Sequence, residues 1–168
     1  MGDDSCYKGS MDELEAIVRQ MRHAVEGDAW HGAALLEILV DVHVATAMAR
    51  PIRSAHSIWE IVLHLASTQD LMLRRLRGDA TPLTDEEDWP QIVKANEEAW
   101  LATVDAFFAG EKHLRDEIVE FPEERLDEPL IEGGSSAYNN FHGYVQHVLY
   151  HAGQMALLRR AAREERPG

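Results

Sequence analysis

The chain has 168 residues, 45% of them hydrophobic and 27% charged, and this length predicts one domain with a core of its own. Its formal net charge of −14 argues against nucleic acid and anionic membrane surfaces as partners, because both require a face rich in lysine and arginine. No apolar run reaches the ~18 residues that a membrane span requires, and no secretory signal pattern is present, so we expect a cytoplasmic protein.

The first ten residues, MGDDSCYKGS, show no hydrophobic period. We expect residues 1–10 to be a disordered leader or a remnant of cloning, followed by a single helical domain over 11–165. The one cysteine, Cys6, lies in this stretch. A lone cysteine excludes an intramolecular disulfide, and its position makes Cys6 a poor candidate for a catalytic nucleophile.

After this stretch, apolar residues recur at spacings of three and four, which predicts helices and no strand. The first helix is predicted over 11–26, with Ser10 and Glu13 forming a capping box at its start. Gly27 is expected to end it. Two short helical segments, HGAALLEILV and VATAMA, follow in the connection to the next long helix.

Three further long helices complete the pattern. The second is predicted over 57–77, with Gly78 just beyond its C-terminus and arginines in its last turn, where they suit the helix dipole. The third is predicted over 90–120, with a proline in its first turn and Gly110 weakening its middle. The fourth covers about 140–163. Four long helices joined by long connections predict an all-α bundle whose topology need not be a simple up-down one.

The last helix carries two histidines four residues apart, His147 and His151, in the segment HVLYHAGQ. On a helical wheel, His151 falls inside the apolar arc and His147 at its margin. Two imidazoles at this spacing can reach one ion at ~2.0–2.1 Å. The spacing permits chelation without requiring it, and the alternative is a pair of core histidines that stack.

A third ligand would have to come from a facing helix, and His64 in IWEIVLHLA is the best candidate. It lies in an apolar helix, where a buried neutral imidazole needs a partner that a metal would supply. Three histidines without a fourth protein ligand predict an open site, whose remaining position holds water or a substrate atom. Glu60, one turn before His64, is a candidate for orienting that ligand; the alternative is a solvated helix residue. The sequence indicates no further catalytic side chain.

Together, IWEIVLHLA, DEPLIEGG and HVLYHAGQ resemble the DinB/YfiT-like superfamily over about residues 30–160. The resemblance implies a four-helix bundle with long crossover connections and a divalent metal, zinc or nickel, held by His64, His147 and His151. It also implies a homodimer. Characterised members include S-transferases and isomerases that depend on low-molecular-weight thiols.

Three functions remain open at this point. The first is a metal-dependent S-transferase that joins a low-molecular-weight thiol cosubstrate to a small-molecule electrophile. The second is a metal-assisted hydrolase that uses the same three ligands. The third is a non-catalytic, stress-related protein in which the metal is structural or the bundle only binds a ligand. A GxSxG elbow, a P-loop and a GxGxxG motif are missing from the sequence, which argues against serine hydrolase and nucleotide chemistry.

Overall fold

The computed structural model of the chain describes residues 12–164. This part is all-α, as predicted, and contains no strand. The predicted leader, with Cys6, lies outside the described residues. The elements, in chain order, are α1 (Glu13–Val25), α2 (Leu35–Leu39), α3 (Val44–Ala47), α4 (Ile58–Leu76), α5 (Asp85–Asp88), α6 (Glu97–Val119), the 3-10 turn Glu123–Arg125 and α7 (Ala137–Glu164).

The four long helices contact one another in a closed cycle. Helix α1 packs against α6 and α7, and α4 packs against the same two helices. The short helices α2 and α3 lie in the connection between α1 and α4, pack against the long helices and bury apolar side chains in the same core. No described helix has the length and apolar character needed to cross a membrane.

The core between these helices is apolar and includes large side chains that are fully buried. Each such side chain contributes about 1.5–3 kcal/mol through the water-accessible area that it loses. The largest are Trp100, Phe107, Phe141, Ile17, Met21, Leu35, Ile58, Ile61, Leu65, Leu114, Ile118 and Met155. They fall on the apolar faces that the spacing of three and four predicts.

The predicted start of the third long helix at residue 90 is wrong, because α6 begins at Glu97. Trp89 has φ −125° and ψ 74°, outside the helical region that Pro90 disfavours for the residue before it. The helix starts only where the Asn96 side chain accepts a hydrogen bond from the Ala99 amide at 2.9 Å. The N-cap, rather than the proline, therefore sets the boundary.

The starts of the first and the last long helix also depend on caps. The side chain of Asp12 accepts from the Leu14 amide at 3.0 Å and is the N-cap of α1, whereas the predicted Ser10 lies outside the described residues. Helix α7 begins at Ala137 rather than at residue 140, because the Ser136 hydroxyl accepts from the backbone amide at position 139 at 3.2 Å.

The predicted stop at Gly78 is confirmed. Gly78 has φ +79°, a conformation that costs glycine nothing. Its amide donates to the Arg75 carbonyl at 2.9 Å, and the Asp79 amide donates to the Arg74 carbonyl at 3.0 Å. These two bonds satisfy carbonyls that the end of α4 would otherwise leave unpaired.

Gly110 does not interrupt α6, which runs through it from Glu97 to Val119. It lies against Gln69 of α4, where an added Cβ would stand 2.6 Å from the Gln69 Oε1 atom. The Gln69 amide nitrogen donates to the Phe107 carbonyl at 3.2 Å. The glycine therefore leaves room for a buried glutamine between the two helices.

Candidate metal centre

Three histidines from two helices meet in the core. His64 comes from the middle of α4, and His147 and His151 come from successive turns of α7. His64 is 8% exposed and His151 is 5% exposed, while His147 is half-buried. The α4–α7 contact therefore brings together the three residues that the sequence singles out.

The ring nitrogens of these histidines converge on one point. The His147 Nε2 atom lies 3.0 Å from the Nε2 atom of His64 and 3.0 Å from that of His151. Each pair of rings meets edge to face, at 82° and 84° for the two pairs with His147. Nitrogen ligands bound at 2.0–2.1 Å around a tetrahedral ion would be ~3.3 Å apart, so the site needs only a small adjustment.

In His64 and His151, the hydrogen bond of the Nδ1 atom determines which ring nitrogen carries the proton. The Nδ1 atom of His64 lies 2.9 Å from the carbonyl oxygen of Asp88, and that of His151 lies 2.8 Å from the Gln154 Oε1 atom. A carbonyl oxygen accepts hydrogen bonds and cannot donate them, so each Nδ1 is the N–H donor. In a neutral ring, which carries a single proton, Nε2 then presents its lone pair towards His147.

His147 cannot satisfy both neighbours by itself. If its Nε2 carried a proton, it could donate to His64 or His151, but not fully to both. If its Nδ1 carried the proton, three lone pairs would face one another, and Nδ1 is buried without a hydrogen-bond partner among the described residues. A cation at the point of convergence would accept all three lone pairs. Imidazole ligands suit zinc, nickel, copper and iron, so the donor set fits a divalent metal.

The surroundings keep these imidazoles in the form that binds metals. Burial, together with the neighbouring His151 and His64, lowers the pKa of His147 to about 4. Burial also lowers the pKa of His151. At neutral pH both rings are therefore uncharged, so a metal does not have to displace the second proton of an imidazolium before it binds.

The segment that follows α5 lies over His64. The Trp89 ring stacks on the His64 ring, with centroids 4.1 Å apart and planes 1° from parallel. On its other face, Trp89 stacks on the exposed His56 at 3.6 Å. Asp88, next to Trp89, places its carbonyl and its carboxylate at His64. No pattern in the sequence indicates that this segment reaches the site.

Glu60 has a different environment from the one expected for a residue that orients His64. Its carboxylate accepts from the amide and the hydroxyl of Ser57, at 2.7 and 2.8 Å, and completes the capping box of α4. It also pairs with Arg50. Within the metal centre, the oxygen atoms that contact an Nδ1 atom belong to Asp88, next to His64, and to Gln154, next to His151.

The fold and the site define an all-α protein with a candidate three-histidine metal centre. A family model of the DinB superfamily matches residues 28–155, a range that includes all three histidines. The chain therefore belongs to the DinB superfamily. Searches of curated proteins and of solved structures found no match.

Proposed function

We propose that the protein is a divalent-metal-dependent enzyme that transfers a low-molecular-weight thiol to a small-molecule electrophile. The observation that supports this is the convergence of three imidazole nitrogens, from His64, His147 and His151, without a fourth donor in the cluster from residues 12–164. Structural zinc sites usually have four protein ligands, whereas catalytic sites have three and keep one position for water or substrate.

A divalent ion held by these histidines would favour the thiolate form of a thiol, which is the nucleophile. In the reaction, a carbon–sulfur bond forms as the leaving group of the electrophile departs with its electron pair, and the thiol proton passes to solvent. The chain itself fixes the three donors: α4 and α7 hold the rings, and Trp89 covers one face of His64.

Zinc and nickel are the metals we propose, because neutral imidazole binds both well. The first experiment is elemental analysis of protein purified without a nickel resin. We expect about one equivalent of zinc or nickel in the wild type and none in His151→Ala. Equal metal content in the two proteins would remove the basis of the proposal.

The second experiment tests the reaction. Metal-loaded protein would be incubated with glutathione, bacillithiol or mycothiol and an aryl halide or epoxide, and the thioether would be quantified by mass spectrometry. We expect product only with both metal and thiol. Hydrolysis of the electrophile without thiol would favour the metal-assisted hydrolase. If chelation lowered only the melting temperature and no turnover occurred, the protein would be a non-catalytic metal- or ligand-binding protein.

The proposal includes a cytoplasmic location, where low-molecular-weight thiols are kept reduced, and no nucleic-acid partner, given the net charge of −14. It also includes a homodimer. Leu36, Val40 and Leu101 are exposed apolar residues around a groove of about 390 Å³ that α2 and α6 help to form, and a second copy could bury them. We expect sedimentation equilibrium to give twice the chain mass and Leu101→Glu to give the monomer.

A further inference from the structure

The segment that approaches His64 is anchored on both sides of the contact. Helix α5 begins with a capping box in which Thr84 and Glu87 satisfy each other's backbone amides. The Oε1 atom of Glu87 also lies 3.4 Å from the Nη2 atom of Arg74 on α4. Directly after α5, Trp89 stacks on His64. The position of Asp88 between these anchors is therefore determined by the fold and not by an isolated side-chain rotamer.

Asp88 presents two oxygen atoms to one N–H group. The His64 Nδ1 atom lies 2.9 Å from the main-chain carbonyl of Asp88 and 3.1 Å from its Oδ1 atom. The carbonyl accepts the hydrogen bond, which keeps the proton on Nδ1, and the carboxylate oxygen lies at ion-pair distance from the same nitrogen. Since the carbonyl alone would suffice to fix the tautomer, the carboxylate adds something else, which is a negative charge next to a ligand.

That charge reaches the other two histidines as well. Burial lowers the pKa of His147 and of His151, and the charge of Asp88 acts on both in the opposite direction. The three imidazoles are neutral donors, so a divalent ion among them would keep its full double charge in a largely buried site. A nearby carboxylate offsets part of this charge, and the cost of burying an ion falls when it has a counter-charge.

We propose that Asp88 is a positioning residue of the metal centre, whose carboxylate supplies the counter-charge that strengthens binding of a divalent cation by His64, His147 and His151. The inference rests on the proposed metal dependence, and it adds a residue that lies outside the two histidine motifs. Mutation of a carboxylate that accepts from the non-coordinating nitrogen of a ligand histidine typically weakens metal binding by about 10–100-fold.

Asp88→Asn separates charge from hydrogen bonding, because the asparagine keeps an oxygen acceptor and the main-chain carbonyl is unchanged. The matched control is Asp85→Asn, the same chemical change at an exposed position on α5. The Zn²⁺ dissociation constant of the full chain would be measured by competition with a chromogenic chelator. The visible absorption bands of the Co²⁺ form would be recorded in the same proteins.

We expect Asp88→Asn to weaken Zn²⁺ binding about tenfold and to shift the Co²⁺ bands, with Asp85→Asn matching the wild type in both. Asp88→Ala, which also keeps the carbonyl, should weaken binding at least as much, and it serves as the test if the asparagine variant does not fold. Wild-type affinity and spectra in every folded Asp88 variant would overturn this inference and leave the proposed function standing. A wild-type protein that binds neither Zn²⁺ nor Co²⁺ would overturn both.

Discussion

Two groups of polar side chains contact the same helical core, and in each group some polar atoms have no hydrogen-bond partner among the described residues. The first is the candidate metal centre. The second, which we call the buried carboxyl cluster, consists of the buried Glu111 and Arg115 on α6 and Tyr144 on α7, with the exposed Glu26 paired to Arg115. Both groups are set among apolar side chains, where an unpaired polar atom costs free energy. They differ in the partner that can satisfy their polar atoms, which is a proton in the buried carboxyl cluster and a cation in the metal centre.

In the buried carboxyl cluster, Glu111 is 0% exposed and neither of its carboxylate oxygens has a hydrogen-bond partner among the described residues. Arg115 Nε lies 2.8 Å from Glu111 Oε2, at ion-pair distance but without the alignment of a hydrogen bond, and the guanidinium also pairs with Glu26. Burial raises the pKa of Glu111 to about 7; Arg115 opposes the rise and Glu26 adds to it. The carboxyl is therefore protonated over a range in which an exposed glutamate is ionised.

The difference between the two groups follows from their chemistry. A buried carboxylate can become neutral by taking up a proton, so its missing partner is available from water at moderate pH. An imidazole binds a metal in its uncharged form, through the lone pair of a ring nitrogen, and the Nε2 atoms of the metal centre lie close together. Only a cation can satisfy three of them at once. We therefore predict metal binding at the metal centre and pH-dependent stability from the buried carboxyl cluster.

The largest effect is expected from removing one histidine of the metal centre. In His151→Ala, two imidazoles remain, and Zn²⁺ affinity should fall by at least about a hundredfold. This loss exceeds the one expected for Asp88→Asn, which removes no ligand. Chelator competition measures the change, and circular dichroism checks that the variant is folded. His113→Ala, an exposed histidine on α6, is the control and should bind as the wild type does. Equal affinities in the two variants would contradict the assignment.

The second prediction concerns pH. Folding holds the pKa of Glu111 at about 7, above its ordinary 4.5, so between these values the folded protein binds more protons than the unfolded chain. Its free energy of unfolding should therefore fall as pH rises through this window, by up to about 3 kcal/mol. Urea denaturation should show Glu111→Gln equal to the wild type near pH 5 and more stable near pH 8.

Glu98→Gln, at an exposed position on α6, is the control for that experiment and should follow the wild-type pH dependence. If Glu111→Gln also followed it, the protonated form of Glu111 would not be the one that the core contains. The buried carboxyl cluster would then be an ordinary ion pair, and the contrast with the metal centre would be lost.

The third prediction tests whether the two groups are independent. At a free Zn²⁺ concentration a hundredfold above the dissociation constant, the native state gains about 2.7 kcal/mol. For a chain of this size, the melting temperature should rise by about 5–10 °C in a thermal scan. His151→Ala should show no rise, and Glu111→Gln should show the wild-type rise, because separate sites act additively. A smaller rise in Glu111→Gln would mean that the two groups are coupled.

The smallest effect is expected at the α4–α6 contact. Gly110→Ala places a Cβ within 2.6 Å of Gln69 Oε1, so it should destabilise the protein by about 1 kcal/mol despite the better helix propensity of alanine. In a Gln69→Ala background the obstruction is gone. The same change should then stabilise by about 1 kcal/mol, measured by urea denaturation. The same sign in both backgrounds would show that Gln69 is not what requires the glycine.

The sequence indicated most of the helices and the three histidines that the structure brings together, because helical periodicity is a local property. The same periodicity also contained a signal that was missed. Glu111 lies four residues after Phe107 and three before Leu114, on the face that α6 buries. A charged residue at such a position is expected to be neutral or paired.

The sequence by itself determined the helical segments, their buried faces and the histidine pair on α7, since each depends on residues within a few turns of one another. Only the tertiary structure decided that Asp88 and Trp89 lie at His64, and that Gln69 lies against Gly110. These contacts join positions far apart in the chain, and they depend on how loops and helices pack. No local pattern encodes such packing, whereas the free energy of burying the whole core selects it.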